Sequence, residues 1–164
     1  MGSGYGFKCK KCGHDYNIHC GIGMMFPKEY QSCIEDVKNG VYGDEWKSIA
    51  SSEKYFAVDA SRNLYVCKKC NNWNVEYSMS IYKPKNSNDI MNKRYGEKNV
   101  KEWRYVPYVM QYDLNNDYTF IKSYIHKCGK CGNRMRKVDI DHLSVLSCPK
   151  CGTDNNAVDM IRWD

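Results

Sequence analysis

Four Cys-X-X-Cys pairs constrain this chain more than any other feature of its 164 residues. Two intervening residues allow both sulfurs of a pair to face one ion, and this spacing is typical of tetrahedral four-cysteine metal sites. Glycine follows three of the pairs, where it lets the turn close without a Cβ clash. The pattern predicts eight metal ligands, which are Cys9, Cys12, Cys67, Cys70, Cys128, Cys131, Cys148 and Cys151.

Four pairs can be combined into two sites in three ways, and proximity along the chain favours one of them. Sixteen residues separate Cys131 from Cys148, a length that predicts one hairpin joining the last two pairs into a site. The first two pairs then form the other site around the long insertion between Cys12 and Cys67. Such an insertion is tolerable because the entropy cost of closing a loop grows only slowly with its length.

Zinc is the default ion for four-cysteine sites, so we predict two structural Zn²⁺ ions as cofactors. Four protein sulfurs leave no coordination position for water or substrate, and we therefore expect neither ion to be catalytic. Each ion is expected to contribute on the order of 10 kcal/mol to folding. The histidines are scattered and form no hydrolytic constellation, so the chain is expected not to be an enzyme and not to have a small-molecule substrate.

The composition indicates a soluble protein that is not directed to a membrane. There is no signal-peptide pattern at the start and no apolar run of membrane-spanning length. We therefore expect a reducing, cytoplasmic location, where ten cysteines, eight of them in Cys-X-X-Cys pairs, favour metal ligation over disulfides. The formal charge is +6, but two filled tetrathiolate sites would lower it to about +2 because the thiols are deprotonated when they bind.

Hydrophobic periodicity predicts a small metal-stabilised α+β fold with two zinc-binding modules built from antiparallel hairpins. The first module is predicted over residues 1–82, and it carries an acidic insertion of two helices at about 27–52. A basic linker or long loop is predicted over 83–104, and the second module over 105–164.

The helical insertion is indicated by apolar residues three and four positions apart, starting at Phe26 and ending at Val41. Cys33 lies on this stripe and is expected to be a small buried side chain. Strands are predicted at 55–58, 64–66, 73–81, 105–112, 118–125, 135–140, 143–146 and 158–163, and the first eight residues are predicted to be a flexible lead.

The most basic stretch runs from Lys122 to Lys137, with six basic and no acidic residues. Together with aromatic residues near the linker, it predicts a contact surface for nucleic acid or another partner. The predicted contact residues are Lys122, Lys127, Lys130, Arg134, Arg136, Lys137, Trp103 and Arg104. An alternative remains for the lysines between paired cysteines, which would offset thiolate charge whatever the function. The tyrosines would likewise suit strand packing.

The sequences Cys128-Gly-Lys-Cys131-Gly and Cys148-Pro-Lys-Cys151-Gly resemble the metal-binding knuckles of the zinc-ribbon group. Cys9-Lys-Lys-Cys12-Gly with Tyr16 is similar to a rubredoxin knuckle, although a rubredoxin lacks the long insertion that follows Cys12 here. The whole-chain layout also resembles small bacterial zinc-ribbon proteins. The rubredoxin likeness implies iron-based electron transfer as a minor alternative to structural zinc.

Two functions follow as expectations. The first is a non-enzymatic zinc-ribbon protein that binds nucleic acid through a basic, Tyr-rich surface of the C-terminal module. The second is a protein-interaction or regulatory module, an adaptor or inhibitor, which the acidic helical insertion and the many tyrosines favour.

Overall fold

The computed structural model describes residues 2–23, 26–93, 108–154 and 156–161. The fold is α+β with antiparallel sheets, as the sequence predicts. The strands are β1 (Gly2–Cys9), β2 (Asp15–Gly21), β3 (Ala57–Val58), β4 (Arg62–Cys67), β5 (Trp73–Tyr77), β6 (Ile81–Pro84), β7 (Tyr118–Lys122), β8 (Met135–Val138) and β9 (Asn156–Ile161). The helices are α1 (Phe26–Lys38), α2 (Asp44–Ser52), α3 (Ser87–Lys93), α4 (Gln111–Asp117) and a 3₁₀ helix (Ile140–Val145). No helix in the described ranges has both the length and the apolar character needed to cross a bilayer.

Contacts divide the chain into two compact units, each assembled from separate stretches of sequence. Unit 1 comprises Met1–Met24, Ser61–Tyr77 and Ile125–Asp164, and unit 2 comprises Met25–Ala60 and Ser78–Tyr124. The sequence-predicted ranges 1–82 and 105–164 have different boundaries from these units, since each unit draws on both halves of the chain. The later part of the linker predicted over 83–104 lies outside the described residues.

Unit 1 contains a six-stranded sheet in the order β5-β4-β2-β1-β9, with β8 paired to β4. β1 is antiparallel to β2 and to β9, and β4 is antiparallel to β5, β8 and, at Gly21 and Arg62, to β2. β1 and β4 therefore run in the same direction. Their last residues are Cys9 and Cys67, each the first cysteine of a Cys-X-X-Cys turn, which we call a knuckle. The Cys9–Cys12 and Cys67–Cys70 knuckles therefore lie at the same end of the sheet.

The remaining two knuckles lie at that end as well. β9 begins at Asn156 opposite Cys9, and β8 begins at Met135 opposite Cys67. Each of these strands starts shortly after a Cys-X-X-Cys pair. All four knuckles are therefore gathered at one end of a single sheet.

The main core of unit 1 packs side chains from six elements against each other. The Phe7 and Trp73 rings meet edge to face with centroids 4.7 Å apart. Such aromatic pairs contribute about 1 kcal/mol beyond their buried area. The other buried members are Cys9, Ile18, Leu64, Val66, Val138, Leu143, Leu146 and Cys148.

Unit 2 combines the sheet β3-β6-β7 with the helices α1 to α4. The stripe predicted for α1 is confirmed at Phe26, Tyr30, Cys33, Ile34 and Val37, which are all buried. Val41 is 64% exposed, because the helix ends before Gly40 turns the chain at a φ of +82°.

Several predicted strands take another form. The single strand predicted from Trp73 to Ile81 is interrupted at Met79, whose φ is +53° and whose N–H donates to the Asp59 carbonyl at 2.9 Å. The prediction that the first eight residues are flexible is wrong for residues 2–8, because they belong to β1, which pairs with a strand on each side. Pairing on both sides supplies the order that its glycines do not.

Two predicted strands differ in their described parts, where aspartates stabilise the first turns of helices. Residues 105–107 of the strand predicted at 105–112 lie outside the described residues. The Asp113 carboxylate accepts the Met110 backbone N–H at 3.1 Å, which fixes the first turn of α4 inside the stretch predicted as strand 105–112. Asp139, the residue before the 3₁₀ helix, accepts the Asp141 N–H, and this helix replaces the strand predicted at 143–146. The hairpin predicted between the last two knuckles is absent, because β8 pairs with β4 instead.

Candidate metal centres

All eight predicted ligands come together, but in a different pairing from the one that proximity predicts. Among the described residues, two groups of four sulfurs are close enough to hold a metal ion. We name them the terminal centre (Cys9, Cys12, Cys148 and Cys151) and the inner centre (Cys67, Cys70, Cys128 and Cys131). The predicted sites Cys128/131/148/151 and Cys9/12/67/70 are wrong.

Strand pairing explains this arrangement. β9 follows the Cys148–Cys151 knuckle and pairs with β1, which ends at Cys9. β8 follows the Cys128–Cys131 knuckle and pairs with β4, which ends at Cys67. Each centre therefore consists of two knuckles. One lies at the turn of a hairpin, and the other precedes a strand that pairs with that hairpin.

The four knuckles share one backbone geometry. The first cysteine carbonyl accepts the N–H of the residue after the second cysteine at 2.8 to 2.9 Å, and the first cysteine N–H donates to the carbonyl one residue further on. Gly13, Gly132 and Gly152 take φ values of +68°, +70° and +73° at the closing position, where a left-handed backbone is required. Asn71 takes φ +53° at the same place in the knuckle that lacks glycine.

The sulfur separations fit one tetrahedral ion per centre. Sγ–Sγ distances are 3.6 Å for Cys9–Cys151 and 3.8 Å for Cys12–Cys148. In the inner centre both the Cys67–Cys131 and the Cys70–Cys128 separations are 3.5 Å. Sulfurs about 2.3 Å from a central ion form a tetrahedron with edges of about 3.8 Å, whereas a disulfide brings them to about 2.05 Å. Two metal ions could be held, one in each centre.

The metal-free thiols have very different proton affinities within each centre. The Asn133 backbone N–H, and then its side-chain amide, lower the pKa of Cys131 to about 6. Burial raises the pKa of Cys9, but the backbone N–H groups of Cys12 and Lys11 outweigh it, and this pKa is also about 6.

The partner thiols shift the other way. Backbone N–H groups of Asn72 and Thr153 favour the thiolates of Cys70 and Cys151, but burial and the adjacent sulfurs outweigh them and raise both pKa values to about 12. Four sulfurs this close cannot all be thiolates without a cation. A bound dication would supply the charge that deprotonates all four.

Asn71 joins the two centres directly. Its side-chain amide donates to the carbonyls of Ser147 and Cys148 at 2.9 and 3.1 Å, so the knuckle that ends at Cys70 is bonded to the knuckle that begins at Cys148. Sequence reasoning missed this role. The available signal was an asparagine where the other three knuckles have glycine, since asparagine tolerates the left-handed region and can hydrogen-bond from it.

The predicted contact residues that the structure describes belong to three different places in the chain's elements. Lys130 lies within the Cys128–Cys131 knuckle, Lys127 and Arg134 lie just outside it, and all three are exposed. Arg136 and Lys137 are neighbours on β8 and therefore point to opposite faces of the sheet. Lys122 belongs to unit 2, where both Glu45 carboxylate oxygens accept from its ammonium at 2.6 and 2.7 Å. Trp103 and Arg104 lie outside the described residues.

Cys20, Cys33 and His126 belong to neither four-sulfur group. Cys33 is buried within α1, as predicted from its position on the apolar stripe. Cys20 is half-buried on β2, beside a cleft of about 510 Å³ that Lys137 also lines. The His126 ring stacks on Tyr65 at 3.9 Å between centroids.

In comparisons with protein-family models, curated proteins and solved structures, this chain matches none of them.

Proposed function

We propose that this chain is a non-enzymatic zinc protein, with one structural Zn²⁺ in each centre, that binds nucleic acid through a basic surface of unit 1. The proposal is carried by one observation: two closed groups of four sulfurs stand beside exposed basic side chains at one end of a sheet. Closed four-sulfur sites offer no position for substrate, so the ions hold the surface in shape and take no part in chemistry.

The strand arrangement supports two zinc ribbons, nested along the chain. One consists of β2-β1-β9 with the terminal centre, and the other of β5-β4-β8 with the inner centre. Each is a hairpin with a knuckle at its turn and a third strand delivered by a second knuckle. In the sequence, the ribbon with the inner centre lies between the two halves of the ribbon with the terminal centre. The spacing of the cysteines predicts two ribbons that follow one another instead.

Metal identity is tested by elemental analysis of the purified protein. The proposal expects two zinc ions per chain. Iron in either centre would favour the rubredoxin-like alternative, whose redox couple would also give the oxidised protein a visible absorption band. One ion per chain would contradict the assignment of two closed sites.

Nucleic-acid binding is tested with labelled single- and double-stranded oligonucleotides at low salt, where phosphate contacts are strongest. The proposal expects binding that weakens steeply as salt increases. It rests on Lys127, Lys130 and Arg134 rather than on Lys122, whose charge Glu45 already offsets. Failure to bind any oligonucleotide at low salt would overturn it.

A protein-binding function is the second candidate, and unit 2 carries the observation that favours it. Tyr112 and Phe120 are 73% and 53% exposed there, and large exposed apolar side chains are enriched at protein interfaces. Pull-down from a lysate with and without nuclease separates the two functions. A partner protein retained after nuclease treatment, and lost in a Phe120→Ser variant, would favour the second.

A further inference from the structure

We infer that the ligand of this protein is the phosphate backbone of a nucleic-acid duplex, bound without reading of bases by the lysines of the four knuckles. This inference rests on the proposed function and names its surface and its ligand chemistry. The surface, which we call the knuckle face, is formed by Lys10, Lys11, Lys68, Lys69, Lys130 and Lys150, the lysines that lie between paired cysteines.

The fold brings these six lysines to one place. Because β1 and β4 run in the same direction and β8 and β9 begin opposite their ends, all four knuckles share one end of the sheet. Asn71 bonds two of the knuckles together. Each centre contributes three lysines, so stretches far apart in the sequence form one surface.

Positive charge is concentrated around the knuckles. The segments 8–15, 66–73, 127–134 and 147–154, which run from one residue before each pair to three after it, contain nine basic and two acidic residues. The rest of the chain contains sixteen basic and seventeen acidic ones, a net of −1. The formal excess of +6 therefore comes from these four short segments.

Thiolate charge does not cancel this excess. A divalent ion on four thiolates leaves −2 per centre, so two filled centres reduce the net charge of the four segments from +7 to about +3. The first cysteine of every pair is buried and the second is half-buried, except Cys151, which is exposed; all six knuckle lysines are exposed. The ammonium groups are therefore accessible to an approaching polyanion.

The knuckle lysines lie next to the thiolates of the centres in sequence, but they have no carboxylate partner within the described part of the chain. None of the six makes an ion pair or a side-chain hydrogen bond there. Lys122 differs in this respect, since it contacts Glu45 and lies 5.8 Å from the centre of the Trp46 ring. The knuckle lysines are the cations available to a partner.

The kind of side chain indicates which nucleic acid fits. Eight of the nine basic residues in the four segments are lysines, which act as point charges and lack the planar fork with which arginine reads guanine. The single Tyr, Phe or Trp within the four segments is Trp73, which is 3% exposed. Single strands are held by stacking on exposed aromatic rings, and the four segments, all of them described, contain none. Duplex phosphates are the better match.

The test compares two fourfold variants of the full-length, zinc-loaded protein. One replaces Lys10, Lys11, Lys68 and Lys69 by Gln, and the control replaces the exposed lysines Lys28, Lys47, Lys54 and Lys83 of unit 2 by Gln. Both lose four charges, and neither loses a metal ligand. Affinity for labelled DNA duplex, RNA duplex and single-stranded DNA of mixed sequence is measured as a function of salt, with zinc content and circular dichroism confirming the fold.

The inference expects the knuckle variant to lose duplex affinity on the order of 100-fold or more at about 0.1 M salt, and its log–log salt slope to fall by roughly 3 to 4. The control variant is expected to bind like the wild type, and duplexes of different sequence to bind equally. DNA and RNA arms decide which duplex is preferred.

Two results would overturn the inference while leaving the proposed function in place. One is wild-type affinity in the knuckle variant, with loss instead in a Lys127→Gln, Arg134→Gln variant. The other is tighter binding of single strands than of duplexes. Absence of binding to any nucleic acid by the wild type would overturn the proposed function and the inference together.

Discussion

The terminal and inner centres have the same ligands and the same knuckle geometry, but they are embedded differently. Cys9 and Cys148 of the terminal centre belong to the main core with Phe7, Leu64 and Trp73. Cys67 and Cys128 of the inner centre belong to a small separate cluster with Tyr65 and Met135. The terminal centre is therefore part of the packing that unites six elements, and the inner centre stabilises a local junction.

The loops that the two centres close also differ, but by a small energy. The chain between the knuckles runs over positions 13–147 in the terminal centre and over positions 71–127 in the inner centre. This difference corresponds to only about 0.8 kcal/mol of closure entropy. Burial of several large apolar side chains corresponds to about 1.5 to 3 kcal/mol each, so packing decides which centre matters more for the fold.

The largest expected effect comes from removing one ligand of each centre. Cys148→Ser should release the terminal ion and disrupt the main core, with loss of most of the cooperative unfolding transition of unit 1. Cys128→Ser should release only the inner ion and leave about one zinc per chain. Metal content and thermal unfolding of the two variants provide the measurement.

Equal destabilisation by Cys148→Ser and Cys128→Ser would contradict the difference in embedding. Both cysteines are the first of their pair and nearly fully buried, at 0% and 2% exposure, so the comparison is matched.

A smaller effect is expected at the contact between the centres. Asn71→Gly keeps the left-handed turn but leaves the Ser147 and Cys148 carbonyls without the amide donor, which should cost about 1 to 2 kcal/mol. Asn71→Ala should cost roughly 1 kcal/mol more, because alanine is strained at positive φ.

The rate at which a chelator removes each ion measures the effect of Asn71. Faster loss from the terminal centre is expected in both variants, since the amide supports the knuckle of Cys148 from outside. Unchanged release from the terminal centre in Asn71→Gly would show that the two centres are independent.

The smallest expected effect concerns Cys20, a cysteine outside both centres. Burial raises the pKa of this thiol, and the Leu64 backbone and Lys137 only partly oppose the shift. A raised pKa reduces the thiolate fraction at a given pH, so alkylation of Cys20 by iodoacetamide should be slower near pH 8 than alkylation of a free thiol. The rate should keep increasing as the pH rises above the ordinary pKa of a cysteine.

Mass spectrometry of the zinc-loaded protein should therefore find a single slowly modified cysteine. Rapid modification at several cysteines would indicate that the centres do not protect their sulfurs.

The eight cysteines of the two centres were predictable from sequence, and their grouping into centres was not. Cys-X-X-Cys spacing is a local property, so all eight sulfurs could be named. The preference for neighbouring pairs amounts to about 2 kcal/mol of closure entropy at most. The pairing of β9 with β1 over six residues, and of β8 with β4 over four, outweighs it.

The helices and strands show the same difference: those set by a local sequence pattern were predicted, and those that depend on distant partners or on a cap were not. The apolar stripe of α1 is a strong periodic signal, and its buried face was predicted. β1 was missed because Gly2, Gly4 and Gly6 indicate flexibility, and only the two strands beside it make it ordered. α4 was missed because Asp113 capping outweighs the strand preference of the Tyr and Val residues before it.

The nested pairing is the central claim, and cysteine mapping tests it most directly. Iodoacetamide is applied to zinc-loaded Cys128→Ser protein, and the modified positions are read by peptide mass spectrometry. The nested arrangement predicts that Cys67, Cys70 and Cys131 become reactive while Cys148 and Cys151 stay protected with Cys9 and Cys12. Reactivity at Cys148 and Cys151 with protection at Cys67 and Cys70 would show that neighbouring knuckles share an ion, and would contradict the account.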